Sequence, residues 1–136
     1  MRQGLDPDNF AAEFDHWKSL GARSEYASYL FGKDAAYAVP VVNGQRNMLR
    51  HVHLVPLRDF EQKVKWDRAW EVRSRKTSDR ALVYVSDLRH GHLLLYILDE
   101  PSAHSVARMQ TPDDRQLMKA FARVADRFIQ TGEIAA

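Results

Sequence analysis

Cysteine is absent from this 136-residue chain, which excludes a disulfide framework, a thiolate metal site and a cysteine nucleophile. Long hydrophobic runs are missing as well. The longest, Leu93 to Leu98, falls far short of the roughly 20 residues that a membrane-spanning helix needs. The opening segment Met1-Arg2-Gln3-Gly4-Leu5-Asp6-Pro7 lacks the apolar run of a signal peptide, so a cytoplasmic protein is the expectation. A glycine-rich phosphate loop, a dinucleotide fingerprint and a Gly-x-Ser-x-Gly elbow are all missing, and nothing points to a nucleotide-dependent enzyme. There is no internal repeat, low-complexity tract or interdomain linker. The length fits one domain, residues 1–136, large enough to bury a core without staples.

Excess charge of one sign is small overall, at +2, but it is unevenly spread. Residues 41–80 carry ten Lys/Arg against five Asp/Glu, while the other 96 carry ten against thirteen. A basic middle between acidic flanks points to an anionic partner met by one face, of which nucleic acid is the commonest. The basic run Arg75-Lys76-Thr77-Ser78-Asp79-Arg80 leads straight into the apolar run Ala81-Leu82-Val83-Tyr84-Val85. Cationic, hydroxyl and acidic groups thus stand at the mouth of a predicted strand, where a sheet holds them rigidly enough to receive a phosphate. A solvated charged connector is the plainer reading of the same residues.

Periodicity places the elements. Residues 7–20 predict a helix capped by Asp6, with Phe10, Phe14, Trp17 and Leu20 on one face. A second helix is expected from Ser24 to Gly32, with Tyr26, Tyr29 and Leu30 inward. Residues 33–48 look irregular, with Pro40 and an Asn43-Gly44 turn signal. Arg50 to Val55 alternates polar and apolar residues, predicting a strand with Val52 and Leu54 on one side and His51 and His53 on the other. Residues 57–72 fit a short helix or an extended connection. Residues 80–87 and 92–98 predict an antiparallel pair of central strands. Thr111, Pro112, Asp113 and Asp114 open a long amphipathic helix that ends at Thr131-Gly132. The sum is an α+β domain: N-terminal helices, a small antiparallel sheet and a C-terminal amphipathic helix.

Six histidines invite a metal reading. No His-Glu-x-x-His helix or Cys/His pattern supports it, so no metal and no cofactor are expected. Metal-free RNA cleavage needs fewer parts: a base for the 2′-hydroxyl, a cation for the phosphorane-like transition state, and an acid for the leaving 5′-oxygen. Hairpin topology predicts that Arg75–Asp79 and Glu100–His104 lie at the same end of the sheet, where such groups would meet.

These residues also carry a resemblance. Phe31-Gly32-Lys33-Asp34-Ala35, His51-Val52-His53-Leu54, Ser74-Arg75 through Asp79, Leu82-Val83-Tyr84, Leu94 through Leu98, Pro101, His104 with Ala107-Arg108, and the closing helix with Met118 and Phe128 follow one another in order. In this order and spacing the chain resembles the YafO family of bacterial type II toxins over roughly residues 8–130. The resemblance implies an mRNA interferase acting with the ribosome and a cognate antitoxin that neutralises it. A more distant, fold-level analogy is to the RelE-like toxin architecture. This chain departs from the family pattern in being more basic before Leu82, at Arg73, Arg75, Lys76 and Arg80.

Chemistry then nominates the site. Arg75 or Lys76 is expected on the scissile phosphate, against the alternative of general contact with RNA backbone shared with Arg73, Arg80 and Arg108. His104 is the first candidate for acid or base, followed by His53 and His51, with Asp79 orienting a base or pairing with Arg75. The competing readings are a non-cleaving ribosome-blocking toxin, a gyrase-directed toxin, and a module whose basic face binds an acidic protein.

Overall fold

The computed structural model describes residues 7–21, 24–41, 45 and 48–134. Helix α1 (Pro7–Ser19) buries Phe10, Phe14 and Trp17, while Leu20, expected on the same stripe, lies beyond the helix and is exposed. The expected cap Asp6 and the Asn43-Gly44 turn fall outside the described residues. Helix α2 is a single turn, Ser24–Ala27. It does not continue to Gly32, and Tyr26 and Leu30, expected inward, are exposed.

The chain instead enters strand β1 (Phe31–Ala36), inside a region expected to be irregular from residue 33. Phe-Gly-Lys-Asp-Ala-Ala has no period-two alternation. It becomes a strand because a partner, β2 (Leu49–Leu54), takes up its backbone groups in an antiparallel ladder. The undecided segment 57–72 forms helix α3 (Phe60–Glu71), capped by Asp59, whose side chain accepts the Gln62 N–H. Trp66 is its one fully buried anchor among the described residues, and Phe60 and Val64 face solvent. A helix with so narrow an apolar contact leaves little periodic signal.

Strands β3 (Ala81–Asp87) and β4 (Gly91–Leu98) complete a four-stranded antiparallel sheet in the order β1-β2-β3-β4. The expectation of two central strands holds for β3 and fails for β4, which is an edge strand with Tyr96 47% exposed. Its apolar run misleads because side chains on both of its faces still pack: Leu93 and Leu98 on one side, Leu94 and Ile97 on the other. A one-turn helix, α4 (Ala103–Ala107), follows β4. Helix α5 (Pro112–Thr131) follows the sequence pattern closely. Thr111 accepts the Asp114 N–H at its start, and Gly132, at φ 75°, donates to Phe128 O at its end.

Helices cover both faces of the sheet. On one face α5 packs Met118, Phe121, Ala125 and Phe128 against Leu49, Ala81, Val83 and Val85. On the other, α1 packs Phe10, Phe14 and Trp17 against Phe31, Val52, Leu54, Leu82 and Tyr84. Tyr84 is fully buried, and its hydroxyl donates to Asp34. That carboxylate also pairs with Lys18 at 2.7 Å and Arg50 at 3.4 Å, tying α1, β1, β2 and β3 together through one satisfied polar network.

Candidate functional site

Strand alternation puts His51 and His53 on the face opposite Val52 and Leu54. The His51 ring stacks on Tyr37, 4.2 Å between centroids and 16° from parallel. His53 lies 5.6 Å from His51 and 5.6 Å from His104, so three imidazoles run in a row from β2 to α4.

Each ring is held differently. His53 Nδ1 is 2.9 Å from the Ser78 N–H and 2.7 Å from the Ser78 carbonyl, so one backbone residue anchors it. Ser78 is itself locked by its hydroxyl, which donates to Leu54 O at 2.6 Å. His104 is held by Asp79, whose Oδ1 accepts the His104 backbone N–H at 2.7 Å and lies 3.0 Å from Nδ1. The Asp79 N–H in turn donates to Gln62 Oε1 at 2.7 Å, which steadies the carboxylate from α3. The His104 side chain, with Asp79 against its Nδ1, is 58% exposed, so its ring is open to a ligand from solvent.

Burial governs the other two imidazoles. It is the largest influence pushing His51 down to about 4, reinforced by the neighbouring His53, and it also lowers His53 against the opposing pull of the Ser78 backbone. Both rings are therefore neutral at pH 7. The Lys33 charge contributes to the lowering at both.

The two strand ends meet because β3 and β4 pair with Ala81 opposite Leu98, which brings residues 79 and 104 together. Glu100 fastens this end of the sheet: its buried carboxylate accepts the N–H groups of Leu57, Arg58 and Asp59 ahead of α3. Among the described residues no three His or carboxylate side chains converge as metal ligands.

The basic residues separate into two sets. Lys76 is not at the imidazole row. It is 1% exposed, its ammonium donates to Glu25 O at 2.6 Å, and it sits over the rings of Trp66 and Trp70. Arg80 is also buried, donating to Val55 O at 3.2 Å and lying 3.4 Å from Asp99. Neither presents its charge to solvent, because the chain turns inward at alternate positions as it approaches β3. Arg75, Arg73 and Arg108 remain exposed, with Arg75 53% exposed and paired to Glu25 at 2.9 Å. The structure thus joins His51, His53, Asp79 and His104, and leaves Lys76 and Arg80 inside the fold. Gln62, Tyr37 and Lys33 belong to the same neighbourhood and were not singled out by chemistry from sequence. Gln62 lay in a segment of undecided structure, and Lys33 was visible only inside the Phe31–Ala35 motif.

Comparison with known proteins rests on one match. The family described as "Toxin YafO, type II toxin-antitoxin system" matches residues 15–130. No curated protein and no solved structure gives a significant match, so the RelE-like analogy gains no support. The matched span contains the whole imidazole row, its Asp79 brace and the sheet that carries them. This chain belongs to the YafO toxin family of type II toxin–antitoxin systems.

Proposed function

We propose that this toxin is a metal-independent, ribosome-dependent endoribonuclease that cuts mRNA and so inhibits translation and growth. Family membership implies a cognate antitoxin. The observation that carries the nuclease reading is the His104–Asp79 pair, a carboxylate-oriented imidazole standing 5.6 Å from a second, buried imidazole, His53.

In this reading His104 Nε2 accepts the proton of a ribose 2′-hydroxyl while Asp79 stabilises the imidazolium that results. The freed 2′-oxygen attacks the adjacent phosphorus in line, and the bond from phosphorus to the 5′-oxygen breaks. His53 returns a proton to that leaving oxygen, with His51 as the alternative donor, giving a 2′,3′-cyclic phosphate and a 5′-hydroxyl. His53 is neutral in the free protein, but a phosphate anion beside an imidazole raises its pKa, so the acid becomes charged when substrate arrives. Dependence on the ribosome fits that requirement, because the ribosome supplies a positioned phosphate. Arg75, Arg73 and Arg108 contribute backbone contacts.

The test is controlled expression in bacteria with mapping of mRNA 5′ ends, comparing wild type with His104→Ala and Asp79→Asn at equal protein level. Translation-dependent cuts in wild type that vanish in His104→Ala support the reading. Growth arrest without new 5′ ends removes it in favour of a blocking toxin. Arrest accompanied by a DNA-damage response instead indicates a gyrase-directed toxin.

A further inference from the structure

We propose that Lys33 is the catalytic cation of this site, aimed at the scissile phosphate by a β-bulge at Gly32–Lys33. This rests on the nuclease reading above and names the group that stabilises its transition state.

The bulge is visible in the register. Phe31 pairs with Leu54 and Asp34 pairs with Val52, so Gly32 and Lys33 together face the single residue His53. An extra residue in one strand bends it and redirects a side chain, a device common beside active sites. Here the cause is the segment ahead of β3. The Lys33 N–H donates to Lys76 O at 2.9 Å instead of to a sheet partner. A Cβ on Gly32 would stand 2.3 Å from that same carbonyl oxygen and 2.9 Å from the Trp66 ring. Only glycine permits the approach that fixes residue 33.

Alternation then sets the direction. Ala35 pairs with His51, and Lys33, two residues earlier, shares its face of β1, the face on which His51 and His53 stand. The positive charge of Lys33 adds to the lowering of both imidazoles, in keeping with that shared face.

Several other basic side chains are already engaged. Lys76 and Arg80 are buried on backbone carbonyls, and Arg75 is paired to Glu25. Lys18 and Arg50 are spent on Asp34, on the other face of the sheet. Lys33 forms no ion pair among the described residues, so its charge is available. Beside two neutral imidazoles it has a double use: it receives the charge that builds up on phosphorus, and it keeps His53 unprotonated until a phosphate is present.

Lys33→Met and Lys33→Arg test this with two readouts. In the free protein, the His51 and His53 titrations followed by NMR should move upward in Lys33→Met and stay near wild type in Lys33→Arg. Unmoved titrations would show that the ammonium is elsewhere and overturn the assignment. On mRNA-programmed ribosomes, single-turnover cleavage by Lys33→Met should slow by about 100-fold or more, with toxin–ribosome binding and thermal stability kept. Lys33→Arg should recover to within about tenfold of wild type, since charge is what the step needs. Wild-type cleavage with an equally active Lys33→Met defeats the Lys33 proposal alone. A wild-type protein that cuts nothing defeats the nuclease reading beneath it. Lys33→Gln, which keeps most of the stem, replaces Lys33→Met if the latter does not fold.

Discussion

Asp79 Oδ1 holds His104 at two points, the backbone N–H at 2.7 Å and the ring Nδ1 at 3.0 Å. A carboxylate placed this way fixes the position of a short helix and stands beside the imidazole it carries. On the proposed function, Asp79→Asn should therefore lower cleavage by about 100- to 10,000-fold, the range spanned by loss of general-base catalysis. His104→Ala should cost about as much, and the double variant little more, because the two act as one unit. Single-turnover kinetics on programmed ribosomes measures all three. Additive losses would show that the residues act separately.

Stability should depend on pH through the buried imidazoles. Burial lowers His51 to about 4 and lowers His53, whereas an unfolded chain binds those protons near the ordinary histidine value of about 6.5. Between those values the unfolded state carries more protons, so stability rises with pH there. It is fully present above about 6.5 and is lost as pH falls toward 4. Melting temperature measured from pH 7.5 to pH 4 should fall across that window, and His51→Phe should flatten the fall. A profile unchanged by His51→Phe would place the acid sensitivity elsewhere.

Gly32→Ala should destabilise the fold by about 1–3 kcal/mol, the usual cost of forcing a methyl into occupied space. The new Cβ would meet Lys76 O at 2.3 Å, and a backbone oxygen held by the Lys33 N–H cannot rotate away as a side-chain tip can. Urea unfolding checks this. A wild-type midpoint would mean that the strand and the segment beside it separate freely.

Arg75 and Lys76 are neighbours in sequence with opposite fates, so their variants should part company. Lys76→Ala removes a buried stem that packs on Trp66 and Trp70 and should cost about 1–3 kcal/mol in chemical unfolding. Arg75→Ala, on the surface, should change stability by less than about 0.5 kcal/mol. On the proposed function it should instead weaken ribosome association and reduce the salt dependence of binding by about one unit of slope. The reverse pattern would move the phosphate contact back to Lys76.

Much of this protein is legible in the residues alone. The α+β class, the long terminal helix, the β3–β4 hairpin and the facing of His51 and His53 follow from patterns that repeat every few residues along the chain. Periods of 2 and 3.6 are properties of the local backbone, so they survive without knowledge of what lies across the core. The proximity of residue 79 to residue 104 also follows from sequence, because an antiparallel hairpin returns its second end to its first.

Tertiary structure alone decided the rest. β1 has no pattern of its own and exists because β2 offers a ladder. The fates of Lys76, Arg80, Arg75 and Lys33 are indistinguishable by residue type, since each is a cation in or near a motif. What separates them is which way the backbone faces them and what lies opposite: two indoles and a carbonyl for Lys76, a carbonyl and Asp99 for Arg80, Glu25 for Arg75. Side-chain chemistry is written in the sequence. The environment that buries a charge, pairs it or leaves it free is set by contacts between segments far apart in the chain, and no local period encodes those.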